Sequence, residues 1–238
     1  MQWLPFISNE DFIEVLSDLK GRADAARRKA TDKFSRNTID PFTALFQMEL
    51  LSIDAHKWQS VEENRQIEKS LQNHIGNFHQ SLIAKIEGWT NTKGNKVIDV
   101  INTERKIIAE IKNKHNTVKG SDMVRVYENL ESLVRKKGQD TNGYTAYLVE
   151  IIPKKRERYN KPLVTSDNTS GQKTHVDELI RRVDGATFYE IVTGDVDGLQ
   201  KVFETIPLGL AAIGVHVDSE KTRLAQEYFN NAISSSGV

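Results

Sequence analysis

Val97-Ile-Asp-Val-Ile101 and Ile107-Ile-Ala-Glu-Ile-Lys112 are the two runs whose reading decides the fold. Both are rich in β-branched residues, and the polar link Thr103-Glu-Arg-Lys106 between them is short, so a β-hairpin is expected. Both faces of both runs are apolar, as in strands covered by helices on each side of a sheet. Asp99, Glu110 and Lys112 interrupt that pattern. Burying a charge without a partner is costly, so these three side chains need a reason to be there.

Strand geometry offers one. Glu110 and Lys112 are two residues apart and point to the same face. A symmetric hairpin turning between Glu104 and Arg105 sets Asp99 opposite Glu110, with Cβ atoms about 4.5–5.5 Å apart. A slip of one residue would send them to opposite faces. In the symmetric register two carboxylates and an ammonium converge. Ionised carboxylates so close repel each other, and a divalent cation removes the conflict. Hard oxygen donors suit Mg²⁺, which keeps places for water and a substrate phosphate. Lys112 can orient a water or balance charge on a phosphorane. The loop that follows, Asn113, Lys114, His115, Asn116 and Thr117, carries groups suited to phosphates or base edges. A salt-bridged pair of strands with no chemistry accounts for the same residues, and His115 also reads as an ordinary loop histidine.

Helices are expected upstream. Asn9-Glu-Asp11 opens a helix ending near Gly21, with a second over 23–33. Asp40-Pro41 starts another, and residues 61–87 form a long amphipathic helix. Downstream, the pattern predicts a helix over 122–137 and a strand over 145–152. It gives weak structure over 153–174, a short helix over 175–183 and a strand over 186–192. Helices over 197–205 and 219–232 follow, then a frayed tail over 234–238. The expectation is an α/β chain with a mixed central sheet flanked by helices. It reads as a single domain over 1–238: a helical N-terminal region (1–60), a core holding Asp99, Glu110 and Lys112 (61–205) and a C-terminal helical segment (206–238).

Cysteine is absent, which excludes disulfides, thiolate metal sites and cysteine nucleophiles. No apolar run approaches the roughly 20 residues of a membrane helix, and the N-terminus carries no secretion pattern. A soluble cytoplasmic protein without membrane partners is expected. Net charge is +0, so nucleic-acid binding must come from local concentrations of cations. Lys154, Lys155, Arg156, Arg158 and Lys161 form such a concentration, readable as a DNA-facing loop or as a solvated charge run.

Val97-Ile-Asp-Val-Ile-Asn102 followed by Ile108-Ala-Glu-Ile-Lys-Asn-Lys-His-Asn-Thr117 resembles the core of type II restriction endonucleases of the PD-(D/E)XK superfamily. Ile39-Asp-Pro-Phe-Thr-Ala-Leu-Phe46, Ile75-Gly-Asn-Phe-His-Gln80 and Arg182-Val-Asp-Gly-Ala-Thr-Phe-Tyr-Glu-Ile-Val-Thr-Gly194 are similar to the subfamily that cuts GGNCC. The proline that often precedes the first aspartate is Ile98 here. The resemblance implies a PD-(D/E)XK core and Mg²⁺ held by Asp99, Glu110 and the main-chain carbonyl of Ile111. Lys112 would be the catalytic lysine. It further implies hydrolysis of double-stranded DNA to 5′-phosphate and 3′-hydroxyl ends by a homodimer, with a cognate DNA methyltransferase in the same system but no stable complex with it. Glu63, His79 or Gln80, on the helix before the hairpin, would be accessory residues, unless they belong to its solvent face. Two other readings stand beside this one: a structure-specific or repair nuclease of the same fold, and a non-catalytic DNA-binding protein with a decayed nuclease fold.

Overall fold

The computed structural model describes residues 1–33, 38–92, 97–118, 120–165 and 174–233. Expectations for part of the turn-rich stretch (93–96), for the polar segment 166–173 and for the tail 234–238 fall outside them.

The chain divides into two compact units, residues 16–78 and residues 1–15 with 79–238. The first holds most of α1 (Asn9–Lys33), α2 (Pro41–Leu50) and most of α3 (Ala55–Ile83). Asp40 caps α2, its carboxylate accepting from the amides of Phe42 and Thr43, with Pro41 in the first turn. The break expected at Gly21 is absent, and α1 runs through it as one helix of 25 residues. Glycine lowers helix propensity but does not terminate a helix by itself.

The second unit is built on a six-stranded mixed sheet in the order β1-β2-β3-β4-β6-β5. Its strands are β1 (Thr90–Asn91), β2 (Val100–Asn102), β3 (Ile107–Lys114), β4 (Thr145–Ile152), β5 (Asn160–Pro162) and β6 (Ile180–Asp184). The hairpin forms in the symmetric register, Val100 against Ala109 and Asn102 against Ile107. β3, β4 and β6 are parallel, which requires a crossover. Between β3 and β4 that crossover is α4 (Gly120–Arg135).

Alternation sends β3 and β4 residues to two cores. Ile108, Ala146, Leu148 and Ile180 pack with Tyr127, Leu130 and Val134 of α4. On the other face Tyr147 meets Phe188, with ring centroids 5.7 Å apart. Phe188 belongs to α5 (Gly185–Thr193), which is followed by α6 (Gly198–Ala212) and α7 (Ser219–Ala232). Among the described residues no helix is long and apolar enough to cross a membrane.

One expectation is reversed. Residues 180–184 are strand and 185–193 are helix, not helix and then strand. Phe188, Tyr189, Ile191 and Val192 have strand propensities, but Asp184 caps the segment by accepting from the Thr187 amide at 3.0 Å. Gly185 then lets the helix start against β4, because a Cβ there would lie 2.7 Å from the Ile151 Cα. Gly185→Ala is expected to cost about 1–3 kcal/mol by overpacking. Gly21→Ala, where a Cβ meets nothing within 4 Å, is expected to stabilise by about 0.5–1 kcal/mol. Urea unfolding of both variants checks the pair, and equal effects would refute this account of Gly185.

Candidate active site

Asp99 stands one residue before β2 rather than inside the strand. Its amide donates to the Ala109 carbonyl at 2.8 Å, and its carboxylate accepts from the main-chain amide of Ile111 at 2.7 Å. That second bond bridges the hairpin and fixes the aspartate against the strand carrying Glu110 and Lys112. The Asp99 and Glu110 carboxyl groups share a hydrogen bond. Glu110 also pairs closely with the Lys112 ammonium.

Electrostatics follow from that crowding. Burial raises the Asp99 carboxyl above its ordinary range, against the Ile111 amide and Lys112, which act to lower it. Glu110 is pushed up to about 7, first by burial and then by the charge of Asp99, with Lys112 offsetting part of the effect. Two acids that both resist ionisation, side by side and with hard oxygen donors, are the setting a divalent cation relieves. Among the described residues no group of three or more His, Asp or Glu side chains gathers to hold a metal. The side-chain donor set here is therefore the carboxylate pair, which fits an ion that completes its shell with water and phosphate oxygens.

Glu110 and Lys112 open into a cleft of about 240 Å³, lined also by Thr117 and by Asp122, Arg125 and Asn129 of α4. These α4 residues escaped the sequence reading, although 122, 125 and 129 fall at helical i, i+3, i+7 spacing. On the next strand Glu150 is the register partner of Lys112. Buried, it accepts two bonds from Arg182 at 3.0 and 2.7 Å and one from the Tyr159 hydroxyl at 2.5 Å.

The remaining candidates are dispersed. Asn113 and Lys114 end β3, and the His115 amide donates to the Ile152 carbonyl at 3.1 Å. Asn116 is exposed, and the Thr117 hydroxyl donates to the Lys114 carbonyl at 2.8 Å. In the basic loop Lys154 and Lys155 are exposed, and Lys161 lies over the Tyr159 ring at 5.0 Å. Arg156 donates to the Ile233 carbonyl at 3.2 Å, and Arg158 is paired with Glu190. His79 is buried against the Tyr189 hydroxyl at 2.8 Å, and burial lowers its pKa to about 4. Gln80 is half-buried on α3. Glu63 lies in the 16–78 unit, accepting from Gln59 at 3.3 Å.

Comparison with known proteins defines the class: the chain is related to restriction endonucleases. It belongs to the Eco47II restriction endonuclease family, whose family model matches residues 4–214. It is 41% identical over 207 residues to the type II restriction enzyme Eco47II of Escherichia coli, covering 87% of this chain and 86% of that one. It is 32% identical over 214 residues to the type II restriction enzyme Sau96I of Staphylococcus aureus, covering 88% of this chain and 80% of that one. No solved structure matches.

The raised Glu110 has a measurable consequence without any ligand. The folded protein keeps that proton up to about pH 7, whereas the carboxyl ordinarily loses it near 4.5. This group is neutral to stability below pH 4.5 and opposes folding increasingly as pH rises toward 7. In the metal-free protein Glu110→Gln is expected to gain on the order of 2 kcal/mol more over wild type at pH 8 than at pH 5. Urea titrations at both values measure this, and an equal difference at the two pH values would contradict it.

Proposed function

We propose that this restriction endonuclease is a Mg²⁺-dependent enzyme with a PD-(D/E)XK core, which cuts double-stranded DNA at a short near-palindromic site. The observation that carries the proposal is the meeting of Asp99, Glu110 and Lys112 on one sheet face at the mouth of a polar cleft. The family resemblance favours GGNCC as the site, with 5′-phosphate and 3′-hydroxyl products.

Asp99 and Glu110 would hold the ion, with the main-chain carbonyl of Ile111. When bound, Mg²⁺ supplies Lewis-acid polarisation of the phosphate and acidifies a coordinated water. The protein's own groups do the rest. The Ile111 amide holds Asp99 in place, so the carboxylate needs no reorganisation when substrate arrives. Lys112 orients the attacking water and balances the negative charge gathering on phosphorus. Its pairing with Glu110 keeps the ammonium on that face. Thr117, with Asn113, Lys114, His115 and Asn116, follows β3 toward the DNA backbone. Lys154, Lys155, Arg156, Arg158 and Lys161 add a second cationic edge. Glu63, His79 and Gln80 remain the accessory candidates.

We take residues 1–238 to act as one nuclease, in the cytoplasm, alongside a cognate methyltransferase that forms no stable complex with it. A two-fold symmetric site calls for two copies of the chain, each reading one half. An apolar stripe on α2 supports self-association: Phe42, Leu45, Phe46 and Leu50 are each more than half exposed. A Phe46→Glu, Leu50→Glu double variant is expected to sediment as monomer where the wild type sediments as dimer; dimeric sedimentation of the variant would remove α2 from the interface.

Lys112→Ala is expected to lower the single-turnover rate on plasmid DNA by at least ~10³-fold while binding the same DNA in Ca²⁺. Wild-type protein with Mg²⁺ should give discrete bands whose sequenced ends share one site. Cleavage by the alanine variant at the native rate would withdraw the role given to Lys112.

A further inference from the structure

α4 carries two stripes. Tyr127, Leu130 and Val134 are buried in the core below the sheet face. Asp122, Arg125 and Asn129 lie along the other side and line the cleft that Glu110 and Lys112 enter. The helix therefore does more than cover the sheet: it forms a wall of the cleft that holds Glu110 and Lys112.

Arg125 differs from four other arginines of this unit, each held by a carboxylate within hydrogen-bond distance. Arg135 is bidentate to Asp177 at 2.7 and 2.6 Å, and Arg182 is bidentate to Glu150. Arg158 is held by Glu190 and Arg181 by Glu178. Arg125 faces only the Asp122 carboxylate among the described residues' ion pairs, at 3.8 Å, with 73% of the arginine side chain exposed. That distance exceeds a hydrogen bond, so the guanidinium is restrained electrostatically while its N–H fork stays open. A planar fork of this kind matches two oxygens of a phosphate. It lies in the same cleft as the ammonium of Lys112, where a phosphodiester presented to Asp99 and Glu110 would lie.

We propose that Arg125 is a phosphate-binding residue: from α4 it grips a backbone phosphate of the bound duplex in the cleft shared with Glu110 and Lys112. The assignment rests on the nuclease reading above.

The test uses the full chain with wild type, Arg125→Ala and Arg125→Lys. Binding to a duplex containing the cut site is measured in Ca²⁺ across a salt series, and single-turnover cleavage in Mg²⁺. One lost phosphate contact reduces the slope of log affinity against log salt by about 0.9. Arg125→Ala should show that reduction, ~10-fold weaker binding at moderate salt and slower cleavage. Arg125→Lys should keep the wild-type slope, because the charge remains, but cleave more slowly than wild type, because the fork is lost. A wild-type slope and a wild-type cleavage rate in Arg125→Ala, with unchanged thermal unfolding, would overturn the proposal. The binding arm needs no cleavage. A wild-type protein that binds but never cuts would therefore sink the nuclease reading and still decide the Arg125 contact, and one that does not bind DNA would sink both.

Discussion

The structure turns on one main-chain hydrogen bond, from the Ile111 amide to the Asp99 carboxylate. It ties an acid at the open end of the hairpin, just before β2, to the centre of β3. From β3 the sheet extends both ways, antiparallel to β2 and parallel to β4. The register of the hairpin then leaves Asp99 nowhere to be but beside Glu110. The outcome is locally unfavourable, since burial pushes both acids toward their neutral forms and the charge of Asp99 adds to the effect on Glu110. A sheet sealed on two faces by helices can hold such a pair in place because the cost is spread over a large core.

The surrounding architecture gives that pair its access. β3 ends in an open loop, and α4 leaves that loop to pass along the edge of the cleft. The crossover demanded by parallel strands thus also supplies polar side chains facing the acids. On the neighbouring strand Glu150 binds Arg182 and Tyr159. Tyr159 begins the return from the basic loop, and its amide also bonds Asp184 at 2.7 Å. One end of that loop is therefore anchored to the sheet within one strand of Lys112.

The hairpin, its register and the three converging side chains were legible because strand periodicity and hairpin symmetry are local rules. β4 and α7 match the expected ranges 145–152 and 219–232 for the same reason, each having an unbroken pattern and, for α7, a capping Asp218. The β6–α5 reversal was not legible from propensity: Phe188, Tyr189 and Val192 are buried, and a helix packed under a sheet is as apolar as a strand. The decisive signals are Asp184 followed by Gly185, a cap and a close approach. β1 and β5 are too short to show periodicity. At the site, Arg125 and Asn129 were hidden because α4 was read only for the stripe that packs. Glu150 is a single charge within the apolar run of β4, and only its placement beside Arg182 and Tyr159 distinguishes it.

The pairing of Arg158 with Glu190 has a consequence of its own. Arg158 sits among the cations of the basic loop but is already engaged, and its Nε also donates to the Thr187 hydroxyl at 3.2 Å. Its charge is therefore already offset by a carboxylate of α5. Lys154 and Lys155 are exposed on the same stretch, whereas Arg158 is tied to α5. The cations of one short stretch of chain thus differ in how far the fold restrains their direction.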